Sequence, residues 1–340
     1  MSKEIAIIGI RGYPPTFPGA GGIDVYIQRS ISEFTRRKTR VTLFTRSWAK
    51  PVQGKQPKHV LIRKIPTIHT KHLDTPVYAF LASVLVCFSQ VEVVWFHAPG
   101  SAIFAFLPRL CGKRIHLTIH GVDWQREKWG PIARMVLKCA EWWSIQTAHE
   151  LFVVSEELRE YVKRYYRKES ELKVVELFES KKMKPRRITS MFGLAGEDFI
   201  LYLGRFVPEK RIEWLIRAFI ESEKINRKMR LVLAGKVEND RYGKKLRNLA
   251  QGDKKIIWTG FVTGEVKSEL LSNCKLFVLP SSLEGYSLAL AEALSYDRNC
   301  LVSNLQIHRE LGKASKAIIT FERNSYEDFL RQWEKAVLKK

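Results

Sequence analysis

The stretch Lys275-Leu-Phe-Val-Leu-Pro-Ser-Ser-Leu-Glu-Gly-Tyr-Ser-Leu-Ala-Leu-Ala-Glu-Ala-Leu294 decides how the chain is read. Lys275–Leu279 is short and apolar after its first residue, the pattern of a strand covered on both faces. Ser287–Tyr296 is rich in Leu and Ala and reads as a helix. A proline, serines and a glycine lie between, so the order is strand, short loop, helix. The first turn of a helix offers backbone N–H groups without intrahelical partners and the positive end of the dipole, and both suit a phosphate. Glu284 falls in the loop at the mouth of such a site, and Glu292 is expected about two turns into the helix. One carboxylate can grip hydroxyls of a transferred group while the other grips a ribose. A capping glutamate beside an unrelated surface glutamate fits the same spacing.

Strands and helices alternate through the rest of the chain. In the first half, strands are expected at Ile5–Ile10, Arg40–Thr45, Val60–Ile65, Val91–Phe96, Arg114–Ile119 and Leu151–Val154. Helices are expected at Gly22–Thr35, Pro76–Ser89, Ser101–Leu110, Ile132–Thr147 and Glu156–Tyr166. The second half repeats the pattern, with strands at Phe199–Leu203, Arg230–Ala234, Ile256–Thr259, Leu276–Leu279 and Asn299–Ser303. Its helices fall at Ile212–Asn226, Tyr242–Ala250, Gly264–Asn273, Ser287–Tyr296 and Tyr326–Leu338. Such alternation implies an α/β protein of two doubly wound, Rossmann-like domains. We set these at 1–180 and 198–340, joined by a charged linker at 181–197 that carries Lys181-Lys-Met-Lys-Pro-Arg-Arg187. A ligand is expected in the cleft between them, at the carboxyl ends of the strands.

At 340 residues, 45% hydrophobic and 11% aromatic, the chain has the makings of a packed globular protein. The five cysteines are odd in number and scattered, and read as reduced core thiols of a cytosolic protein. The N-terminus leads straight into an apolar strand and shows no signal peptide. The longest apolar run, Pro76–Phe88, is shorter than the roughly 20 residues that span a bilayer, so a buried core helix is expected there. Net charge is +23, and residues 1–190 hold 32 basic against 16 acidic side chains. That excess favours an anionic partner: nucleic acid, an anionic membrane or a phosphorylated substrate. A merely solubilising surface fits it as well.

Three further segments carry candidate chemistry. The loop Gly9-Ile-Arg-Gly-Tyr-Pro-Pro-Thr-Phe-Pro-Gly-Ala-Gly-Gly22 lets backbone approach an anion at Gly19, Gly21 and Gly22, though it is neither a GxGxxG fingerprint nor a Walker loop. In Leu201-Tyr-Leu-Gly-Arg-Phe-Val-Pro-Glu-Lys-Arg211, Arg205 and Lys210 are spaced to straddle a diphosphate, Arg by its fork and Lys as a point charge. Two solvated loop cations fit that spacing too. In Thr118-Ile-His-Gly-Val-Asp-Trp-Gln-Arg-Glu-Lys-Trp129, His120 and Asp123 sit just past a strand end, where a His can shuttle a proton or orient a hydroxyl. His97, after Val93-Val-Trp-Phe96, reads as structural. No HExxH, no DxD at a strand end and no GxSxG occurs, so neither a metal site nor a serine nucleophile is indicated.

Together these segments resemble the family 4 glycosyltransferases, retaining enzymes of the GT-B fold, over nearly the whole chain. The Gly-rich loop at Gly19–Gly22, Gly204-Arg205 with Lys210, and Glu284 with Glu292 occur in that family's order. His120–Trp129 looks like a subgroup that includes rhamnosyltransferases and other polysaccharide-building enzymes. The resemblance implies that Arg205 and Lys210 neutralise a donor diphosphate and that Glu284 and Gly285 meet the donor sugar. It further implies that amides of Tyr286, Ser287 and Leu288 meet phosphate and that Glu292 holds the ribose. Gly21 and Gly22 would face the phosphates, with His120 and Asp123 on the acceptor side. The chain departs from the family at Val175-Glu-Leu-Phe-Glu179, where relatives usually carry a Pro-Asn-Gly turn, and in its short tail after Glu310. The last helix is expected to pack back on the first domain only in part.

The implied function is metal-independent transfer of a hexose or deoxyhexose, with retention, from a nucleoside-diphosphate sugar to a glycan or lipid-linked acceptor. A carboxylate at Glu292 can hold two vicinal ribose hydroxyls, which points to a ribonucleotide, and a UDP-linked donor is the expectation. No separate cofactor and no nucleic-acid partner is expected. The basic first half implies peripheral association with the inner face of a membrane through Arg36–Arg40 and Lys50–Lys71. A phosphorylase or sugar-nucleotide epimerase of the same architecture is the alternative. A basic nucleic-acid-binding module leaves the acidic pair and the strand-end loops unexplained.

Overall fold

The computed structural model describes residues 4–36, 39–51, 57–68, 70, 73–127, 129–174, 180–196, 199–313, 315 and 317–338. The chain divides into two units, Met1–Val175 and Glu176–Lys340.

The first unit runs β1 (Glu4–Ile8), α1 (Gly22–Arg36), β2 (Arg40–Arg46), β3 (Val60–Ile65), α2 (Asp74–Cys87), β4 (Val93–His97) and α3 (Phe106–Leu110). It continues with β5 (Arg114–Ile119), α4 (Pro131–Thr147), β6 (Glu150–Val153), α5 (Glu156–Tyr166) and β7 (Glu171–Leu172). Its sheet is ordered β3-β2-β1-β4-β5-β6-β7, and every pair is parallel. The central strands are apolar on both faces because helices cover both: Ala6, Ile7, Leu43, Val94, Phe96, Ile115 and Leu117 are fully buried. Strand order reverses between β1 and β4, the kind of switch point at whose carboxyl ends doubly wound sheets bind ligands. Gly9 ends β1 there at φ 118°, with its α-carbon so close to β4 that a Cβ would stand 2.2 Å from the His97 carbonyl oxygen.

The second unit runs α6 (Arg187–Phe192), β8 (Phe199–Leu203), α7 (Ile212–Glu221), α8 (Glu223–Lys228), β9 (Arg230–Ala234), α9 (Arg241–Ala250) and β10 (Ile256–Gly260). It continues with α10 (Gly264–Asn273), β11 (Leu276–Leu279), α11 (Leu288–Ser295), β12 (Asn299–Ser303), α12 (Gln306–Gly312), β13 (Ile318–Phe321) and α13 (Tyr326–Leu338). The order β10-β9-β8-β11-β12-β13 repeats the doubly wound plan, with the switch point between β8 and β11. One apolar core from Ile188 to Val337 fills it. Phe329 and Trp333 of α13 are fully buried in that core, where Phe329 packs edge-to-face on Phe321.

Several expectations need correction. The charged stretch assigned to a linker contains α6, whose first amides, Arg187 N and Ile188 N, donate to the buried Glu269 carboxylate. Ile212–Asn226 is two helices, interrupted at Ser222 (ψ 77°). α12 and β13 were not anticipated, although Ile318-Ile-Thr-Phe321 carries a strand's composition. α3 is half the expected length, because a separate 3₁₀ turn at Pro99–Ser101 precedes it. α2 is no fully buried core helix: Tyr78, Ala79, Ala82 and Val86 face inward, whereas Phe80, Leu85 and nearby Phe88 are exposed. The cysteines are not all core thiols either, since Cys111 and Cys139 are exposed. Val175–Glu179 lies outside the described residues. Among the described residues, no helix is long and apolar enough to cross a membrane.

Candidate active site

In the second unit the loops that leave β8 and β11 flank the switch point, and they carry Arg205, Lys210 and Glu284. Beyond β8 the chain makes a 3₁₀ turn at Pro208–Lys210. Ser282 of the β11 loop donates its amide to the Glu209 carbonyl at 2.8 Å, so the two loops are stitched through backbone. Lys210 Nζ then forms an ion pair with Glu284 Oε1, and Ser281 Oγ donates to the same oxygen at 2.7 Å. The two charged side chains are only 15% and 9% exposed. Burial by itself would push the Glu284 carboxyl up. The field of Lys210, that of His308 once its ring is protonated, and hydrogen bonds from Lys210 and Ser281 outweigh it and hold the group below its ordinary 4.5. Arg205 is exposed, its carbonyl anchored by the buried Tyr202 hydroxyl at 2.8 Å. The phenol is raised well above 10, by burial first and then by Glu284, against the opposing field of Arg205.

Gly285, Tyr286, Ser287 and Leu288 lead into α11, whose first residue is Leu288. Ser287 adopts the left-handed conformation, φ 58° and ψ 55°, unusual for a residue with a side chain. Its Oγ lies 2.7 Å from His308 Nε2, and His308 is wholly buried. His308 Nδ1 lies 2.8 Å from the Ser303 carbonyl. A carbonyl only accepts, so Nδ1 carries the proton, and the neutral ring's Nε2 accepts from the Ser287 hydroxyl. Burial lowers this histidine below its ordinary value, which keeps it neutral. Ser303 Oγ also donates to the Ser281 carbonyl at 2.5 Å, so β12 braces both ends of the 281–287 loop. His308 is a site component that the sequence reading missed.

Glu292 stands one turn into α11 rather than two, because the helix starts at Leu288. It is buried and pairs with Lys267 of α10 at 2.8 Å.

In the first unit the Gly-rich loop closes on Asp24. This buried carboxylate accepts from Arg11 N at 2.6 Å, Gly21 N at 2.7 Å and Gly12 N at 3.4 Å. The bond from Gly21 is the reach-back half of a capping box at the start of α1. The Gly21 amide is thus already engaged, and Gly22 begins the helix. Arg11 Nη1 donates to the Gly19 carbonyl at 2.5 Å. A buried Arg46 pairs with Asp74 at 2.7 Å, donates to the Ile10 carbonyl at 2.8 Å and lies 4.3 Å over the Tyr78 ring.

His120 lies beyond the end of β5, and His97 Nδ1 stands 2.9 Å from its Nε2. The Tyr26 ring meets His120 edge-on at 4.8 Å, and Trp95 stacks on His97. His97 is therefore the direct partner of His120. Its own Nε2 is buried without a hydrogen-bond partner among the described residues. A buried lone pair is tolerated better than a buried N–H, which assigns the proton to His97 Nδ1 and makes His120 Nε2 the acceptor. Burial pushes His120 down to about 3 against the pull of Asp123, and His97 well below 6.5, so both rings are neutral near pH 7. Asp123 pairs with Arg126 at 2.8 Å.

Two doubly wound parallel sheets, one to each unit, are the architecture of a GT-B protein, and the second brings cations, carboxylates and a helix start together at its switch point. Comparison with known proteins agrees. The model for glycosyl transferases group 1 matches residues 192–340, and that for glycosyltransferase family 4 matches residues 20–177. The chain belongs to the family 4 glycosyltransferases. It is 32% identical over 145 residues to the serotype-specific mannosyltransferase WbdA of Escherichia coli, covering 42% of this chain and 18% of WbdA. The chain thus spans under a fifth of that relative's length. Among solved structures it superposes on sucrose-phosphate synthase from Thermosynechococcus elongatus with TM-score 0.80 at 17% identity, covering 99% of this chain and 90% of that one. It also superposes on Anabaena HepE in complex with UDP and glucose, with TM-score 0.74 at 12% identity and coverage of 99% and 90%.

Proposed function

We propose that the protein is a retaining glycosyltransferase that moves a hexose or deoxyhexose from a nucleoside-diphosphate sugar to a glycan or lipid-linked acceptor in cell-surface polysaccharide or glycolipid synthesis. The observation that carries this reading is the nearly buried Lys210–Glu284 pair at the β8/β11 switch point, just before the start of α11. When the bond from the anomeric carbon to the β-phosphate oxygen breaks, negative charge collects on that oxygen. Lys210, the exposed Arg205 and the first-turn amides of α11 offer preorganised positive potential to receive it, and this is how the site would work without a metal. Glu284, held as a carboxylate, accepts from hydroxyls of the sugar, and Gly285 lets the sugar approach the backbone. Glu292, buried and anionic beside Lys267, grips the ribose hydroxyls. UDP is the proposed nucleotide, in keeping with the UDP bound by HepE. His120 and Asp123 serve the acceptor side, where neutral His120 is suited to orient a hydroxyl. A lipid-linked acceptor would place the enzyme on the cytoplasmic face of a membrane.

The test is a thermal-shift panel of nucleoside diphosphates, followed by acceptor-dependent release of nucleoside diphosphate from UDP-sugars. UDP is expected to raise the melting temperature, and Glu284→Ala is expected to lower turnover by about two to three orders of magnitude while the protein stays folded. Wild-type turnover in that variant would overturn the site assignment.

A further inference from the structure

The helix α4 is exposed in an unusual way. Ile132, Met135 and Trp142 are 77%, 61% and 54% exposed, and Val136, Cys139 and Trp143 are exposed beside them. These positions recur at three- and four-residue spacing, so they form one stripe down the 17-residue helix. Trp142, Trp143, Cys139 and Lys138 line an open apolar hollow of about 470 Å³. Trp143 packs on Phe106, which ties the stripe to α3, where Leu110 is also exposed. A contiguous apolar face of this kind on a water-soluble surface marks a contact site.

The charges on α4 choose among occupants. Arg134 and Lys138 are the basic residues of its exposed face. Its one carboxylate, Glu141, is buried and takes hydrogen bonds from Tyr161 (2.6 Å) and Tyr166 (2.5 Å). The exposed face therefore combines tryptophans and aliphatics with two cations and no anion. Lys138 borders the stripe beside Trp142, with its ammonium 4.1 Å over the Trp124 ring, and a protein interface would have to bury or pair it at the edge of an apolar centre, where lysine is depleted. At a bilayer surface the same lysine extends its stem along the apolar layer and delivers its ammonium to lipid phosphates. The helix, about 25 Å long, is too short and too polar to span the roughly 30 Å hydrocarbon layer, and it lies along a folded domain.

We propose that the α4 face docks the protein on an anionic bilayer, with α4 lying in the plane of the interface, Trp142 and Ile132 in the acyl boundary, and Arg134 and Lys138 at the headgroups. The assignment does not rest on the donor site. It also moves the membrane contact away from Arg36–Arg40 and Lys50–Lys71, which lie partly outside the described residues.

The test is co-sedimentation of the full chain with phosphatidylcholine vesicles, with and without phosphatidylglycerol, at low and high salt. The wild type is expected to partition onto the anionic vesicles. The triple variant Ile132→Ser, Met135→Ser, Trp142→Gln is expected to lose about tenfold or more of that binding at both salt levels. Arg134→Gln with Lys138→Gln is expected to lose only the salt-sensitive, phosphatidylglycerol-dependent part. Circular dichroism and UDP-induced thermal shifts equal to wild type show that the variants stay folded. Three outcomes overturn the proposal: wild-type protein that binds no vesicle, a triple variant that binds as wild type does, or a wild type that dimerises without lipid and becomes monomeric in the triple variant.

Discussion

Replacing Lys210 by Met tests the candidate site through energetics before any substrate is known. The pair it breaks is 15% and 9% exposed, so most of it is out of water. At an effective dielectric near 20 and about 3 Å, its Coulomb energy is about 5 kcal/mol. Glu284 keeps its bond from Ser281, which makes up part of the loss. Removing one partner of a buried pair is expected to destabilise by about 3 to 5 kcal/mol, and we place this case near 3. The pH dependence is the diagnostic part. In the wild type the lowered carboxyl contributes stability above about 4.5 that is lost as pH falls through its folded-state value. Without Lys210, burial dominates and the carboxyl moves up, so the variant takes a proton at higher pH. The deficit should thus be largest at alkaline pH and shrink as the medium is acidified. Hydrogen exchange of the β8 and β11 amides, read at several pH values, reports the opening energy of this unit separately from the other. The double variant Lys210→Met/Glu284→Gln should recover much of the loss. A deficit under about 1 kcal/mol that is flat with pH would refute the reasoning, because a pair that costs so little to break is not desolvated.

Glu292→Gln keeps the side-chain volume, and Lys267 is the more exposed partner, so stability should change by less than about 1 kcal/mol. UDP affinity by calorimetry should fall about tenfold, and the preference for UDP over its 2′-deoxy analogue should vanish; an unchanged preference removes Glu292 from the ribose site. His97 and His120 are held neutral by burial, so the unfolded chain binds protons that the folded one does not, and His308 is shifted in the same direction. Stability should fall below pH 6.5 at about 1.4 kcal/mol per pH unit for each such ring, read by denaturant unfolding. Glu141, raised by burial, acts in the opposite sense and offsets one ring at most, so a curve that is flat down to pH 5 contradicts the assigned states.

Much of this fold is legible in the sequence, because strands covered on both faces must be apolar throughout and the helices between them carry clear periodicity. What escaped has physical reasons. α6 has six residues and stands on one buried apolar side chain, Ile188, with its amides taken by Glu269 about 80 positions away, so no local signal marks it. Lys210 and Glu284 are each suggested by loop context, yet their pairing across 74 positions follows from β8 lying beside β11, which only sheet topology supplies. His308 was invisible for the same reason, since nothing near it hints that α12 delivers it to Ser287. Asp24 was within reach, because an acidic residue three positions after Gly21 is the spacing of a capping box.

That aspartate has a consequence for the glycine-rich loop. Three backbone amides converge on one internal carboxylate, so the nest such loops offer to a visiting anion already holds an anion of its own. A phosphate arriving there has to displace Asp24 from Gly21 and Arg11 before it can use the same donors. A visitor that brings hydroxyls rather than a charge has no need of those three donors.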